Sequence, residues 1–246
     1  MVTLRSLLYF IAMLLTILVF GLLISVGALL GMPLARRSTL AGYWGLSNLK
    51  LLKWICGLDC RVEGRENIPT QACVIMSKHQ STWETIALRW LLPHNQAWVL
   101  KKELMRVPVF GWALAADRAI AIDRDAGRKA VKQLIEQGIQ RLEEGRHVII
   151  FPEGTRVAPG EHRKYAIGGA LLAQKSGRPV LPIAHNAGVF WRRRGLQKLP
   201  GTIQVVIGPP IGSEGKSAAA INREVEAWIE GQMEKLPKHP SGPRRN

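Results

Sequence analysis

Two patterns of apolar and polar positions divide the chain. Between Ser6 and Met32 no residue is charged and apolar side chains fill most positions. At about 1.5 Å rise per residue, a helix of that length runs about 40 Å, enough to cross bilayer hydrocarbon with tilt. A cleaved leader is the alternative, with Ser25-Val26-Gly27 as a small-residue cleavage site. Leader cores run only about 7–15 residues, and Ala28, Leu29 and Leu30 extend the apolar run beyond that site. The segment therefore reads as a retained anchor, closed by Pro33. Over residues 39–57, Leu40, Tyr43, Trp44, Leu51, Leu52 and Ile55 recur near helical spacing, with Lys50 and Lys53 among them. That pattern predicts a second helix, either packed on the domain or, as its closeness to the anchor favours, lying at the membrane interface.

From Asp59 onward, short apolar runs alternate with amphipathic stretches. The runs predict strands over 60–63, 72–77, 97–101, 119–123, 147–151, 179–184 and 202–208. The stretches predict helices over 82–92, 109–116, 126–144, 166–176 and 216–235. Over 126–144, Val131, Leu134, Ile135, Ile139 and Leu142 form one stripe, with Asp125 as cap and Gly145 as stop. Strands alternating with helices imply an α/β fold, a mostly parallel or mixed sheet flanked by helices. Three parts are expected: anchoring helices over 1–58, the α/β domain over 59–236, and a flexible basic tail over 237–246. In such sheets, sites gather at the carboxyl ends of strands.

Charge narrows the partners. The chain has a net charge of +16 and a pI near 10.4, a surface that suits a polyanion. Arg5, Arg36, Arg37, Lys50 and Lys53 all precede Asp59, the first acidic residue, and they flank the apolar segment. That placement favours an anionic membrane over nucleic acid, with the α/β domain on the cytoplasmic side. Cys56, Cys60 and Cys73 are an odd set without repeated spacing, which argues against a disulfide framework. They also lack neighbours to complete a metal site.

Two strand ends carry chemistry. His79 and Glu84 follow the run Ala72–Met76 and are five residues apart. On one continuous helix they would point about 140° apart, so they meet only if His79 lies in a loop and the helix starts near Ser81. The pair supplies a base and a carboxylate to orient it. The competing reading is a capping box over Ser81-Thr82-Trp83-Glu84, with His79 as an ordinary loop histidine. The second motif, Pro152-Glu153-Gly154-Thr155-Arg156, follows the run Val148–Phe151. Pro152 ends strand pairing, Gly154 permits close backbone approach, and Arg156 suits a bidentate phosphate contact. Glu153 and Arg156 could equally be a solvated turn pair.

These blocks resemble those of glycerolipid acyltransferases. Lys78-His79 through Glu84 resembles that family's His-x4-Asp motif, with Glu84 standing where Asp is usual. Phe151-Pro152-Glu153-Gly154-Thr155-Arg156 matches its second block at every position. Ala121-Ile122-Asp123-Arg124 and Pro179-Val180-Leu181-Pro182-Ile183-Ala184 resemble two further blocks, in the same order. Within the family the chain is most similar to 1-acyl-sn-glycerol-3-phosphate acyltransferases.

The resemblance implies an O-acyltransferase without a cofactor. Its donor would be acyl-CoA or acyl-carrier protein and its acceptor the sn-2 hydroxyl of lysophosphatidic acid, giving phosphatidic acid. His79 would be the general base and Glu84 its orienter. Arg124, Glu153, Gly154, Thr155 and Arg156 would bind substrate, with Lys101 and Lys102 as helpers. Backbone N–H groups near Gly154 or Ser81 would face the oxyanion. Trp191, Arg192, Arg193, Arg194 and Lys198 would meet lipid headgroups. His94, His147, His162, His185 and His239 lack the spacing of His79 and read as structural. Glu84 in place of Asp leaves other acceptors open: a lyso-ornithine lipid, a lysophospholipid or a lipid A precursor. A non-catalytic module that binds anionic lipid is the alternative of a different class.

Overall fold

A computed structural model describes residues 1–123 and 126–240. Arg124 and Asp125, expected as a phosphate ligand and a helix cap, lie outside the described residues, as does 241–246 of the tail. Two helices come first, α1 (Val2–Leu29) and α2 (Leu34–Leu51), and a π-helical turn over Leu52–Cys56 continues α2. Strands and helices then alternate as β1 (Leu58–Glu63), β2 (Val74–Ser77), α3 (Trp83–Leu91), β3 (Gln96–Lys101), α4 (Phe110–Ala116), β4 (Ile120–Ile122) and α5 (Arg128–Glu143). The second half continues with β5 (His147–Ile150), α6 (Gly168–Ser176), β6 (Val180–His185), α7 (Ala187–Phe190), β7 (Gly201–Ile207) and α8 (Ala218–Lys235). Each strand and helix expected from the pattern is present. The second helix starts earlier, at Leu34, and α7 is an addition too short for periodicity to reveal.

The seven strands form one sheet in the order β1-β7-β6-β2-β5-β3-β4. All neighbours pair in parallel except β6 and β7, so the sheet is mixed. From β2 the chain crosses to β3 on one flank, and from β5 it crosses to β6 on the other. Such switch points open a crevice at the strands' carboxyl ends.

Period-two alternation sorts the core into two layers. Cys73, Ile75, Ile149, Leu181 and Ile183 face a layer that holds Trp83 and Leu88 of α3 with Tyr9 and Met13 of α1. Val74, Met76, Val148, Ile150 and Val180 face Leu134 of α5, Leu172 of α6, and Ile221 and Val225 of α8. Continued past the end of β2, the same alternation sends Lys78 toward α8 and His79 toward α3.

The two N-terminal helices share the domain's core. Tyr9 Oη donates to Asn48 Oδ1 at 3.2 Å, and Asn48 Nδ2 donates to Thr16 Oγ1 at 3.0 Å, which joins α1 to α2. Ser6 Oγ accepts the Lys198 N–H at 2.9 Å. From α2, Ser38 Oγ donates to Asp117 Oδ1 at 2.6 Å, and Asp117 also pairs with Arg89 of α3 at 2.9 Å. The opposite side of α1 exposes Leu4, Leu8, Ile11, Leu15, Leu18, Leu22 and Val26. It is the one helix among the described residues long and apolar enough to cross a membrane.

One expectation is overturned here. Lys198 and Trp191 do not face headgroups, because both are buried. The Lys198 ammonium stands over Trp191 at 4.6 Å and Tyr9 at 5.3 Å and donates to Leu196 O at 2.9 Å. The basic loop that remains exposed is Arg192, Arg193 and Arg194.

Candidate active site

Three adjacent strands, β6, β2 and β5, end at the same edge of the sheet and deliver the candidate residues there. From β2 comes the loop of Lys78, His79 and Gln80, and α3 begins directly after it. Glu84, in the first turn of α3, is fully buried. Its Oε1 accepts from His79 Nδ1 at 2.9 Å and from the Gln80 and Ser81 N–H groups at 2.7 Å each. One oxygen therefore caps the helix start and holds the His79 ring at once. With Nδ1–H donated to Glu84, Nε2 is the ring nitrogen left to take a proton.

Electrostatics suit that arrangement. Burial alone would push the Glu84 carboxyl up. The adjoining His185 ring, the His79 hydrogen bond and the Ser81 N–H outweigh it and hold the group below its ordinary value.

The second motif grips His79 from the neighbouring strand. Its carboxylate, Glu153 Oε1, accepts the His79 N–H at 3.3 Å. Val157 N–H donates to His79 O at 2.8 Å, and the Phe151 ring stacks on the imidazole with centroids 4.0 Å apart. Both backbone polar groups and one ring face of His79 are thus held by residues 151–157. Glu153 is buried and also pairs with Lys78 Nζ at 3.2 Å. Lys78 Nζ in turn reaches Glu230 of α8 at 2.7 Å, and Tyr165 Oη donates to the same carboxylate oxygen at 2.8 Å. Desolvation raises the Glu153 carboxyl despite Lys78 beside it.

Glu153 and Arg156 are therefore not a solvated turn pair: Glu153 turns inward, and no carboxylate pairs with Arg156 among the described residues. Arg156 is half-buried, and its charge is felt by Glu84 and Arg193. Desolvation lowers its pKa, yet a guanidinium stays charged at neutral pH. Gly154 sits at φ 68°, where a side chain would be strained, and Thr155 is partly exposed beside it.

Lys101 and Lys102 are not brought to this cluster. Both are exposed at the end of β3, and Lys101 pairs with Glu103 at 3.0 Å. The expected oxyanion donors are also occupied. Ser81 N–H bonds Glu84, and Gly154 N–H donates to Phe151 O at 3.0 Å.

The residue that motif reading passed over is His185, at the end of β6. Its Nδ1 accepts the Ala187 N–H at 3.3 Å, so its Nε2 carries the proton and donates to Lys78 O at 2.8 Å. That Nε2 also lies 4.0 Å from Glu84 Oε2, an oxygen buried without a hydrogen bond. Burial pulls His185 below its ordinary value against the pull of Glu84. The pairing of β6 with β2 was the available signal, and it is visible only once the sheet order is known.

The strand ends of this mixed α/β sheet thus gather a buried His79–Glu84 pair and a half-buried arginine at one edge. Residues 59–186 match the family model described as Acyltransferase. The chain is 48% identical over 206 residues to a 1-acyl-sn-glycerol-3-phosphate acyltransferase of Pseudomonas aeruginosa, covering 82% of this chain and 79% of that one. It is 27% identical over 230 residues to the enzyme of the same name from Cocos nucifera, covering 93% and 73%. The fold is shared with the crystal structure of the 1-acyl-sn-glycerophosphate acyltransferase PlsC of Thermotoga maritima, at a TM-score of 0.79 and 23% identity over 95% of both chains. The chain belongs to the acyltransferase family and is an enzyme of the 1-acyl-sn-glycerol-3-phosphate acyltransferase type.

Proposed function

We propose that this enzyme moves an acyl group from an acyl-CoA or acyl-carrier-protein thioester to the sn-2 hydroxyl of 1-acyl-sn-glycerol-3-phosphate, forming phosphatidic acid. The observation that carries the reading is the His79 imidazole, fixed on one side by Glu84 at 2.9 Å and stacked on Phe151. His79 Nε2 takes the hydroxyl proton as the oxygen attacks the thioester carbonyl. The tetrahedral intermediate collapses, the C–S bond breaks, and the departing thiolate takes that proton from His79. No acyl-enzyme is required, and Cys73 is unsuited to form one. It is buried, and desolvation pushes its thiol up to about 12.

Glu84 holds the tautomer and balances the imidazolium that forms. Arg156, charged and without a carboxylate partner among the described residues, meets the acceptor's phosphate, with Arg124 as its companion. Glu153 acts through the His79 backbone. Gly154 and Thr155 shape the turn beneath the acceptor, and the N–H groups of Thr155 and Arg156 have no partner among the described residues and would serve the oxyanion. Lys101 and Lys102 would meet headgroups at the rim. The reaction needs no cofactor.

The site works at a membrane. On α2, Arg36, Arg37 and Lys50 run beside α1. Each cation held at mid-bilayer would cost about 2.5–3.5 kcal/mol on insertion scales. The helix pair therefore seats in the cytoplasmic surface of the membrane with the exposed face of α1 in lipid, and long-chain substrates reach the site sideways. A mass-spectrometric screen crossing lysophosphatidic acid and other lysolipids with both donor types tests the assignment. Phosphatidic acid as the dominant product supports it. Preference for a lyso-ornithine lipid, a lysophospholipid or a lipid A precursor would move the acceptor while keeping the chemistry.

A further inference from the structure

We propose that the segment Lys102–Trp112 is a second membrane-seating element, which sets Leu104, Val107 and Trp112 among the headgroups of an anionic bilayer beside α1. The inference rests on the reading that α1 lies in lipid and extends it to a part of the α/β domain itself.

Apolar exposure comes first. Leu104 is 40%, Val107 43% and Trp112 55% exposed, all within one short stretch. Single exposed apolar residues are ordinary, but a cluster of large ones marks a contact surface.

A second observation ties the cluster to α1. The chain reverses at Val109, whose φ of 62° is unusual for a β-branched residue. Phe110 N–H closes the turn on Pro108 O at 2.7 Å, a tight γ-turn of the strained kind. The turn is seated on α1 at Gly21, where an added Cβ would lie 2.7 Å from Val109 Cγ1. Beyond it, Phe110, Ala113 and Leu114 face Phe20, Gly21 and Ile24 of α1 across a narrow apolar crevice. One side of α4 is thereby covered by α1, and Trp112 projects from the other. The segment is packed on α1 at Phe20, Gly21 and Ile24.

Charge selects the occupant. Lys101, Lys102 and Arg106 are exposed along this stretch against one carboxylate, Glu103, which pairs with Lys101 at 3.0 Å and also feels Arg106. Cations flanking apolar side chains suit anionic headgroups, and tryptophan prefers the interface between headgroup and acyl chain. A bilayer also matches the neighbouring α1 face, which no soluble protein surface need cover. The segment follows β3 at the carboxyl edge of the sheet, the edge that carries His79, so seating it brings the mouth of the site to the lipid surface.

The test uses the full chain with Cys60 replaced by Ser, reconstituted in phosphatidylcholine vesicles containing phosphatidylglycerol. Nitroxides are placed in turn at Val107, at Leu15 on the exposed face of α1, and at Arg223 on α8. Power saturation then compares relaxation by oxygen with relaxation by a water-soluble nickel chelate. The proposal expects Leu15 and Val107 to favour oxygen, with Val107 the shallower, and Arg223 to favour the chelate. A Val107 label as open to chelate as Arg223, with Leu15 in lipid, overturns the second element and leaves α1 as the anchor. Leu15 and Val107 both open to chelate would overturn the membrane reading together with the proposal.

Discussion

Replacing Glu84 by Gln tests the structure at its most economical point. The amide keeps the side chain's length and one carbonyl oxygen. That oxygen must still accept the Gln80 and Ser81 N–H groups, both at 2.7 Å. The helix start is therefore kept, and the amide NH2 falls where Oε2 stood, toward His185. Lost is the negative charge that balances the His79 imidazolium during transfer. A hydrogen bond to a charged group is worth about 1.5–3 kcal/mol, so turnover should fall about 10- to 150-fold. Acceptor KM should change little, because Glu84 is buried beneath His79 and faces no phosphate. Initial rates over a range of lysophosphatidic acid concentrations in mixed micelles separate the two parameters. The same variant has a stability signature. The folded Glu84 pKa is lowered, so its contribution is present above the unfolded value, about 4.3, and is lost as pH falls through the folded one. The stability gap between wild type and Glu84→Gln should narrow with acidification below about pH 4. Full turnover in Glu84→Gln would refute the orienting role and leave only the cap.

Further outcomes follow from the neighbouring groups. Arg156→Ala should raise acceptor KM about 10- to 150-fold through loss of a charge-assisted phosphate contact, and an unchanged KM removes Arg156 from the phosphate site. Lys78→Met leaves Glu153 and Glu230 facing each other without their shared cation, and denaturant unfolding should show a loss of about 3–5 kcal/mol. His185 binds its proton less readily when folded, so it destabilises the fold as pH drops below its unfolded value of about 6.5. His185→Gln, which retains a donor for Lys78 O, should flatten that acid-side loss in thermal melts across pH.

Much of this was legible in the residues because local pattern and motif agree. The alternation Cys73, Val74, Ile75, Met76 marks β2 as buried on both faces, and the same alternation continues into Lys78 and His79. The sequence spacing of His79 and Glu84 already required a loop before α3, and the structure supplies one. What stayed hidden is long-range. Nothing near Lys78 announces Glu230, 152 residues away, and nothing near His185 announces the Lys78 carbonyl, because both contacts depend on sheet order. Glu153 looked solvated beside Arg156 because charge at a strand mouth usually is. Its burial follows from Lys78, just past the end of the neighbouring strand. The uncharged segment after Ser6 read as an anchor, while Ser6, Tyr9 and Asn48, polar groups set in apolar surroundings, were the only hints that the same helix also docks on the domain. Lys198 defeated charge reading altogether, since aromatic rings of α1 and Trp191 enclose its ammonium.

The central claim is that His79 takes the proton from the attacking hydroxyl. Purified, detergent-solubilised enzyme and its His79→Ala variant, matched for fold by circular dichroism, can be compared for transfer of a labelled acyl group from thioester to lysophosphatidic acid. A positioned general base contributes about 10²- to 10⁴-fold, and the account predicts a loss of at least that size in turnover. Wild-type turnover in a well-folded His79→Ala protein would contradict it.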